Sequence, residues 1–464
     1  MSLDSTAAGP SHALAHFAEE LRYEDIPAPV LERARIHILD GLGLGLASTI
    51  FPFAGPTLAA VDELSGGGGA TIIGSAKTAS PRDAAMANGV LIHGLDYDDT
   101  HLEAIVHPTA AVLPAVLAVA EQRGLSGREA ITAYCIGMEV AVRMGAAVKG
   151  GFHHTGFHAT GVLAHFSSAL AAGRLMGAGA DDHVNALGIA ASTASGVQVF
   201  LEEGAWTKRL HPGWAANAGI TAATLARHGF IGPTRALEGR FGLFDTHLHT
   251  HAADVDPSFL TEGLGSRWMM ADTALKPYPV CHFIHGAADA ALQLRPRIGG
   301  ARIASVDIFL PQDTLKIVAE PIEHKRHARN EYEAKFSAPF VVASTLLKGR
   351  FGLPDLTDEA IAGAEVQALA ARCTCHADPQ SRFPEFFSGG VEVVLESGER
   401  LKAHVPVNSG AGERMLSLAE AKDKFVANAG LALSAERAEA VADAVAKLDS
   451  NPVAALMGRL ALAS

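Results

Sequence analysis

The chain has 464 residues, of which 48% are hydrophobic and 19% are charged, so it can bury a large core and is not intrinsically disordered. Its formal net charge of −13 argues against a nucleic-acid partner, because phosphate recognition needs a broad basic face. Four unevenly spaced cysteines argue against a disulfide framework. The first lysine or arginine is Arg22, and no apolar run has the length of a membrane span. We therefore expect a cytoplasmic protein without a signal peptide or membrane span.

Hydrophobic periodicity predicts a mostly helical stretch over about the first 260 residues. Ser126 followed by Glu129 is a capping box, which predicts that a helix begins there. The predicted helices of this part are 30–48, 110–122, 126–146, 161–176, 181–194 and 214–228.

The pattern changes to strands near residue 300. Segment 302–310 is rich in β-forming residues, and 391–395 and 400–405 flank a hairpin turn around Gly398. Helices are predicted at 336–348, 358–371 and 434–448. The predicted fold is mostly α, with a large all-helical domain of residues 1–266, completed by 409–464, and a smaller α+β domain of residues 267–408.

The first chemical motif is HGLDYDDTHLEAIVHP, residues 93–108. Three carboxylates within four positions repel one another unless they are solvated, paired or bound to a metal. A carboxylate beside a histidine can orient its ring for proton transfer near neutral pH, so the motif predicts an acid–base site. A carboxylate-rich helix end and a metal-dependent hydro-lyase or hydrolase would also fit this pattern. The residues concerned are His93, Asp96, Asp98, Asp99, His101 and His107.

Two further motifs precede predicted helices. GFHHTGFHATG, residues 151–161, holds His153, His154 and His158 in a loop whose backbone N–H groups suit a carboxylate. GAWTKRLHPGWAANAG, residues 204–219, places Lys208, Arg209 and His211 just before a helix predicted to begin near Pro212. This second segment is either a solvated basic turn or an anion-binding corner.

The fourth motif is ALKPYPVCHFIHGAADAA, residues 274–291, at the predicted domain junction. His282 and His285 are three positions apart and share a helical face. The motif is either a substrate-binding segment or an exposed helix start. The other polar members are Lys276, Tyr278 and Cys281.

Several common sites are not predicted. Cys373, Cys375 and His376 lack a second Cys/His pair at zinc-ligand spacing. The alternating glycines Gly41, Gly43 and Gly45 do not have dinucleotide-binding spacing, and no phosphate-binding P-loop is present. We expect no cofactor and no metal.

In their order and separation, LDYDDT, GFHATG, TKRLHPG, KPYPVCHFIH and AKFS (residues 334–337) resemble the MmgE/PrpD family. Its members include 2-methylcitrate dehydratase, cis-aconitate decarboxylase and iminodisuccinate epimerase. The resemblance covers nearly the whole chain. It implies a homodimer with a helical domain, a smaller α/β domain, a site in the cleft between them and chemistry without a cofactor.

The resemblance also implies roles for individual residues. His107 and His158 form the principal proton-transfer pair, since spacing within the family motif favours His158 over His153. Asp96 orients a histidine. Lys208 stabilises enolate-like charge. The substrate-binding residues are Thr100, His285, His282, Lys276, Arg209 and Tyr278, with the choice between His282 and His285 left open.

The predicted function is acid–base lyase chemistry on a small di- or tricarboxylate, with 2-methylcitrate dehydration preferred. Decarboxylation of cis-aconitate and epimerisation are the competing reactions within the same family. The decarboxylases have tyrosine at the position of Phe340. A metal-dependent hydro-lyase, or a scaffold that binds a metabolite without turnover, would also account for these residues.

Overall fold

The computed structural model describes residues 9–462 of the chain. These residues divide into a larger unit, which runs up to Thr273 and resumes at Ser417, and a smaller unit, Ala274–Leu416. The predicted boundaries, 267 and 408, lie a few residues before these positions. The described chain is mostly helical, with its longer strands in the smaller unit, which confirms the predicted fold class.

The larger unit begins with thirteen α-helices and one short hairpin. The capping box of Ser126 and Glu129 is present at the start of α6. The hairpin, β1 (Ala70–Thr71) with β2 (Thr78–Ala79), was not predicted. The helices are α1 (Pro10–Glu20), α2 (Ala28–Ser48), α3 (Ala54–Leu64), α4 (Pro81–His93), α5 (Thr109–Gln122), α6 (Gly127–Val148), α7 (Gly151–His154), α8 (Ala159–Met176), α9 (Ala180–Ala191), α10 (Phe200–Glu203), α11 (Thr207–Arg227), α12 (Leu243–Leu248) and α13 (Ser258–Thr261).

The smaller unit packs helices on a four-stranded sheet of order β4-β3-β5-β6. Strands β5 and β6 form the predicted antiparallel hairpin, whereas β3 and β4 are parallel. Parallel neighbours need a crossover connection, which the intervening helices supply. The elements are α14 (His285–Ile298), β3 (Ile303–Leu310), α15 (Leu315–Val318), α16 (Ile322–Arg326), α17 (Glu331–Lys335), α18 (Ala338–Lys348), α19 (Asp358–Ile361), α20 (Ala364–Ala370), β4 (Cys373–Ala377), β5 (Gly389–Leu395) and β6 (Arg400–Val405).

One prediction for the smaller unit was wrong, and one strand was not predicted. The helix predicted over 358–371 is two helices, because the chain leaves the helical conformation at Gly363, the residue that precedes α20. Segment 373–377, which contains Cys373 and Cys375, is strand β4 and pairs with β3. Its short alternation of small and polar residues carries little strand signal, which explains the omission.

The chain returns to the larger unit through three helices, α21 (Leu418–Ala429), α22 (Ala435–Ala446) and α23 (Val453–Leu460). Helix α21 packs along α2, where Gly43 allows the Phe425 side chain to approach the helix backbone. Each unit has its own core of buried hydrophobic residues. Helix α6 is long and apolar enough to cross a membrane, yet its apolar window is completely buried inside the larger unit.

Helix α6 contains a buried ion pair whose hydrogen-bonding groups have partners within the larger unit. The Arg143 Nε–H donates to Glu139 at 2.6 Å, and its four remaining N–H groups donate to backbone carbonyls. Glu139 also accepts from the backbone N–H groups of Met269 and Met270. The pair therefore connects the centre of α6 to segment 259–270. The acceptor carbonyls belong to Phe259, Glu262, Gly263 and Arg267.

Candidate active site

The three carboxylates of the first motif turn to different partners in the larger unit. They lie just after α4, on a turn in which Asp96 has a left-handed backbone conformation with φ 53°. This divergence removes the mutual repulsion that the sequence predicts for clustered carboxylates. The partners are Lys208 for Asp96 (2.9 Å), His93 for Asp98 (2.7 Å) and His37 for Asp99 (3.2 Å).

The sequence predicts Asp96 as a histidine-orienting carboxylate, and in the structure Asp98 and Asp99 both contact histidines. A carboxylate can only accept, so the His93 Nδ1–H donates to Asp98, and in the neutral form of the ring the lone pair lies on Nε2. Both side chains are buried, which limits their freedom to reorient. Neither His93 nor Asp98 was among the predicted catalytic residues. Their short separation, with His93 at the end of α4 and Asp98 in the following turn, could have indicated that the two side chains meet.

His107 is half-buried just before α5 and is held by two backbone contacts. Its Nδ1–H donates to the Asp99 carbonyl at 2.6 Å, and Thr100 Oγ1 lies 3.1 Å from the same nitrogen. The His107 backbone N–H donates to Thr160 Oγ1 at 3.0 Å, which ties it to the first turn of α8. In its neutral form the ring therefore carries its lone pair on Nε2, which is the nitrogen able to take or return a proton.

His158 occupies the N-cap position of α8 and is buried. Its Nδ1 lies 3.1 Å from Nδ1 of His211, and the Phe200 ring packs edge-on against both imidazoles. Burial lowers the pKa of His158 well below its usual range, and repulsion from Lys208 adds to this effect. Burial also lowers the pKa of His211 to about 4. Both rings are thus neutral near pH 7 in this structure.

The basic residues of the third motif lie on a helix, not before one. Helix α11 begins at Thr207, so Lys208, Arg209 and His211 occupy its first two turns and the predicted start near Pro212 is wrong. A proline inside a helix removes one hydrogen bond but does not always end the helix. The consequence is that Lys208 and His211 lie on a rigid element, with their relative positions set by helix geometry.

Lys208 and Arg209 have different surroundings. The side chains of Lys208 and its partner Asp96 are 23% and 20% exposed, so this ion pair lies at the edge of solvent. The Arg209 Nε–H donates to the Gly94 carbonyl at 2.7 Å, and its guanidinium lies over the Phe53 ring. Arg209 thereby links the start of α11 to the end of α4. The positive charge of Lys208 acts on His158 and His211.

Helices α4 and α11 cross at a glycine contact that sets this arrangement. A Cβ on Gly89 would lie 2.6 Å from the Gly213 Cα, and a Cβ on Gly213 would lie 2.3 Å from the Met86 carbonyl oxygen. Two helices approach this closely only where side chains are absent. The crossing brings the end of α4 beside the first turns of α11.

The result is a compact histidine cluster within the larger unit. Ring centroids of His93 and His107 are 5.1 Å apart, those of His93 and His158 are 5.7 Å apart, and those of His107 and His158 are 6.2 Å apart. Lys208 supplies positive charge beside these rings. Imidazole rings next to one cation suit an anionic substrate and proton transfer to or from carbon.

The remaining predicted histidines have other surroundings. His153 lies on α7, with its Nδ1 2.7 Å from the Gln198 side chain and its Nε2 3.3 Å from the Ile105 carbonyl. His101 is buried, and burial lowers its pKa to about 4. In the part of the chain that is described, no three His, Cys, Asp or Glu side chains are arranged to hold a metal ion.

The two histidines of the fourth motif contact each other within the smaller unit. Rings of His282 and His285 are 4.4 Å apart, so the structure places both open candidates side by side. The His285 Nε2–H donates to the Val280 carbonyl at 3.3 Å, while Nε2 of His282 lies 3.1 Å from the Asn408 amide nitrogen. Asn408 was not predicted, because it lies more than a hundred positions further along the chain.

Tyr278 is buried beside this histidine pair, and Lys276 is also buried. The Tyr278 hydroxyl donates to Asp289 at 2.6 Å, and its ring packs edge-on against His285. The other Asp289 oxygen accepts from the Ser409 backbone and from Arg414. Asp289 therefore connects the tyrosine to the loop after β6, a role that was not predicted.

Two family models match this chain. The MmgE/PrpD N-terminal domain matches residues 12–256, and the MmgE/PrpD C-terminal domain matches residues 278–450. A cis-aconitate decarboxylase-like protein of Aspergillus oryzae is 27% identical over 97% of this chain and 96% of its own length.

Two further relatives have different named activities. Human cis-aconitate decarboxylase is 29% identical over 90% of this chain and 88% of its own length. The 2-methylcitrate dehydratase of Cupriavidus necator is 25% identical over 82% of this chain and 81% of its own length. With both family domains matched over most of its length, the chain belongs to the MmgE/PrpD family.

Proposed function

We propose that this protein is a cofactor-independent lyase that decarboxylates a small unsaturated tricarboxylate of the cis-aconitate class. The observation that carries the proposal is the cluster of His93, His107 and His158 beside the Lys208–Asp96 ion pair. Membership of the family makes the chain an enzyme of the lyase class. Decarboxylation takes precedence over the 2-methylcitrate dehydration that the sequence favoured, because decarboxylase relatives match more of the chain at higher identity.

The electrostatics of the larger unit support an anionic substrate. His158 and His211 are neutral in the free site because charging them in a buried place costs free energy. A bound tricarboxylate brings negative charge close to these rings and favours their protonated forms. Substrate binding is therefore coupled to proton uptake, and the site acquires its acid when the substrate arrives.

The reaction needs one proton at carbon. When the carbon–carbon bond to a carboxylate breaks, CO₂ leaves and its bonding electron pair stays on the substrate as an allylic carbanion. An imidazolium then donates its Nε2 proton to that carbon, and the ring returns to its neutral form. We assign this step to the His107 and His158 pair. Lys208 stabilises the developing negative charge, and Asp96 holds the Lys208 ammonium in place.

The other predicted residues are proposed to bind substrate. Thr100 lies beside His107 and offers a hydroxyl to a carboxylate, and Arg209 adds positive charge next to Lys208. For Lys276, Tyr278, His282 and His285, we expect substitution by alanine to raise KM more than it lowers kcat. The Phe340 side chain packs in the core of the smaller unit against the Phe351 ring, and the proposed decarboxylation needs no hydroxyl group at this position.

The proposal is tested by incubating the purified protein with cis-aconitate, 2-methylcitrate, citrate and an amino-dicarboxylate in deuterated water. We expect cis-aconitate to release CO₂ and to gain one deuterium at carbon, observed by NMR. His158→Ala should abolish this, and Gly458→Ala, on α23, serves as the matched variant that should not. Full turnover by His158→Ala would remove the assignment.

Each competing function gives a different result in the same panel. Loss of water from 2-methylcitrate without CO₂ release would indicate a dehydratase. Inversion of the amino-dicarboxylate would indicate an epimerase. Activity lost to a strong chelator and restored by one metal would indicate a metal-dependent enzyme. Saturable binding of tricarboxylates without any turnover would indicate a scaffold.

We also propose a second copy of this chain as partner, joined through the exposed apolar side of α11. Trp206, which precedes the helix, and Leu210 and Trp214 are 48%, 41% and 47% exposed, and their spacing of four places them on one stripe. Two copies of this helix packed antiparallel would bring the acidic residues before it close to the basic residue at its end, Arg227. Light scattering should show a dimer that Trp214→Glu dissociates, whereas a wild-type monomer would refute the proposal.

A further inference from the structure

In the surroundings of His158, the side chain of His211 contacts the Nδ1 atom of its ring. Its backbone N–H donates to the Gly196 carbonyl at 2.8 Å, which fixes the N-cap. Its Nδ1 lies 3.1 Å from Nδ1 of His211. Its Nε2 is buried and, among the described residues, has no hydrogen-bond partner. Nε2 is therefore the atom left for a substrate, and His211 is the group that contacts the opposite side of the ring.

The two facing nitrogens share a single proton. At 3.1 Å a hydrogen bond requires one N–H and one lone pair, since two protons between the atoms would repel. The lowered pKa of each ring keeps both neutral near pH 7, so a second proton does not enter. Two arrangements remain, and they differ in which ring donates.

These arrangements have opposite consequences for proton transfer. If His211 donates, the buried Nε2 of His158 is an N–H without an acceptor, and protonating His158 would place two protons between the rings. If His158 donates, its Nε2 has a lone pair that can gain and lose a proton while Nδ1–H stays bonded to His211. Among buried backbone groups, an N–H without an acceptor is rarer than a carbonyl oxygen without a donor. By the same reasoning, a bare lone pair on Nε2 of His158 is favoured over an unpaired N–H, which favours the second arrangement.

The position of His211 is itself defined by close packing. A Cβ on Gly161 would lie 3.1 Å from the His211 Cβ, and a Cβ on Gly196 would lie 3.2 Å from its Nδ1. The Phe200 ring packs against the imidazole with centroids 5.8 Å apart. Helix α11 carries the residue, so backbone and ring neighbours together hold the acceptor nitrogen toward His158.

We propose that His211 is a positioning residue whose Nδ1 accepts the His158 Nδ1–H and thereby reserves Nε2 of His158 for proton transfer. The proton-transfer role of His158 comes from the proposed function, whereas the tautomer is a property of the free protein. In each turnover, Nε2–H of the imidazolium breaks, a C–H bond forms on substrate, and the Nδ1–H···Nδ1 hydrogen bond stays in place.

The test uses ¹⁵N-histidine-labelled full-length protein without substrate. Long-range ¹H–¹⁵N spectra distinguish a protonated ring nitrogen from a bare one, and the His158 signals are assigned by their loss in His158→Phe. We expect Nδ1 of His158 to be protonated and Nε2 to be bare in the wild type. The opposite tautomer in the wild type would overturn the proposal, and this result does not depend on any enzymatic activity.

Two variants extend the test to turnover. His211→Asn retains an acceptor oxygen and should keep the His158 tautomer, with kcat reduced less than about tenfold. His211→Leu removes the acceptor, so the two tautomers should mix, and kcat should fall roughly 10–100-fold with little change in KM, as for lost orienting partners elsewhere. If His211→Leu keeps both the wild-type tautomer and kcat, the proposal is wrong. An unchanged tautomer with no turnover in any variant would instead contradict the proposed function.

Discussion

Substituting Gly213 by alanine should separate activity from stability, because the new methyl group acts at the crossing of α4 and α11. Its Cβ would lie 2.3 Å from the Met86 carbonyl oxygen and 3.0 Å from the Val90 amide nitrogen. Ordinary contact begins near 3.4 Å, so one helix must move by about 1 Å. The nearest neighbour is a backbone oxygen, which cannot rotate away as a side-chain atom could.

Two effects on stability oppose each other in this variant. Overpacking costs about 1–3 kcal/mol, whereas replacing glycine by alanine within a helix returns about 1 kcal/mol. The free energy of unfolding should thus fall by no more than about 2 kcal/mol. Catalysis should suffer more, since a displacement of about 1 Å between His93 and Lys208 can cost about 100-fold in rate.

The measurement compares kcat/KM on the substrate found in the acid panel with thermal unfolding of the same preparations. Gly458→Ala is the control, because a Cβ at Gly458 meets nothing within 4 Å. We expect this control to keep the wild-type rate and to gain up to about 1 kcal/mol of stability. Wild-type kcat/KM in Gly213→Ala would show that the crossing does not set the site geometry.

Three further outcomes follow from buried charges and histidines. Burial lowers the pKa of His101, His165 and His183 to about 4, below the unfolded value near 6.5. Each should therefore lower the free energy of unfolding by up to about 1.4 kcal/mol per pH unit as the pH falls from about 6.5 to 4. Urea unfolding at pH 7 and pH 5 measures this effect, and equal free energies of unfolding would contradict it. Arg143→Met should cost about 3–5 kcal/mol in the same assay by leaving its carboxylate partner uncompensated, and a loss below about 1 kcal/mol would be inconsistent with a buried pair. Lys208→Gln should weaken tricarboxylate binding at least about tenfold by calorimetry, and an unchanged Kd would argue that the ammonium does not contact substrate.

Local signals predicted most of the helix boundaries. The start of α6 follows from the capping box of Ser126 and Glu129, and the end of α8 follows from Gly177. Both signals are local in the sequence. The start of α11 was not predictable in the same way. Proline is common at a first helical position, and in this chain Pro212 lies in the second turn.

The site was predictable as a set of residues but not as a set of pairs. The motif predicts Asp96 as the orienting carboxylate, but the histidine contacts of Asp98 and Asp99 were not predicted, because they depend on a turn that contains one left-handed residue. The pairing of His158 with His211 joins positions 53 apart and depends on how α8 packs on α11. Such contacts are set by tertiary packing, which a single sequence does not encode as a local pattern.

The left-handed conformation of Asp96 has a consequence for engineering. Residues other than glycine pay on the order of 1 kcal/mol for this backbone conformation, although aspartate tolerates it better than most. A selection for thermostability alone would therefore favour glycine at this position and would discard the carboxylate that holds Lys208. Libraries built for robustness should keep position 96 constant, because here the most stable residue and the most useful one are different.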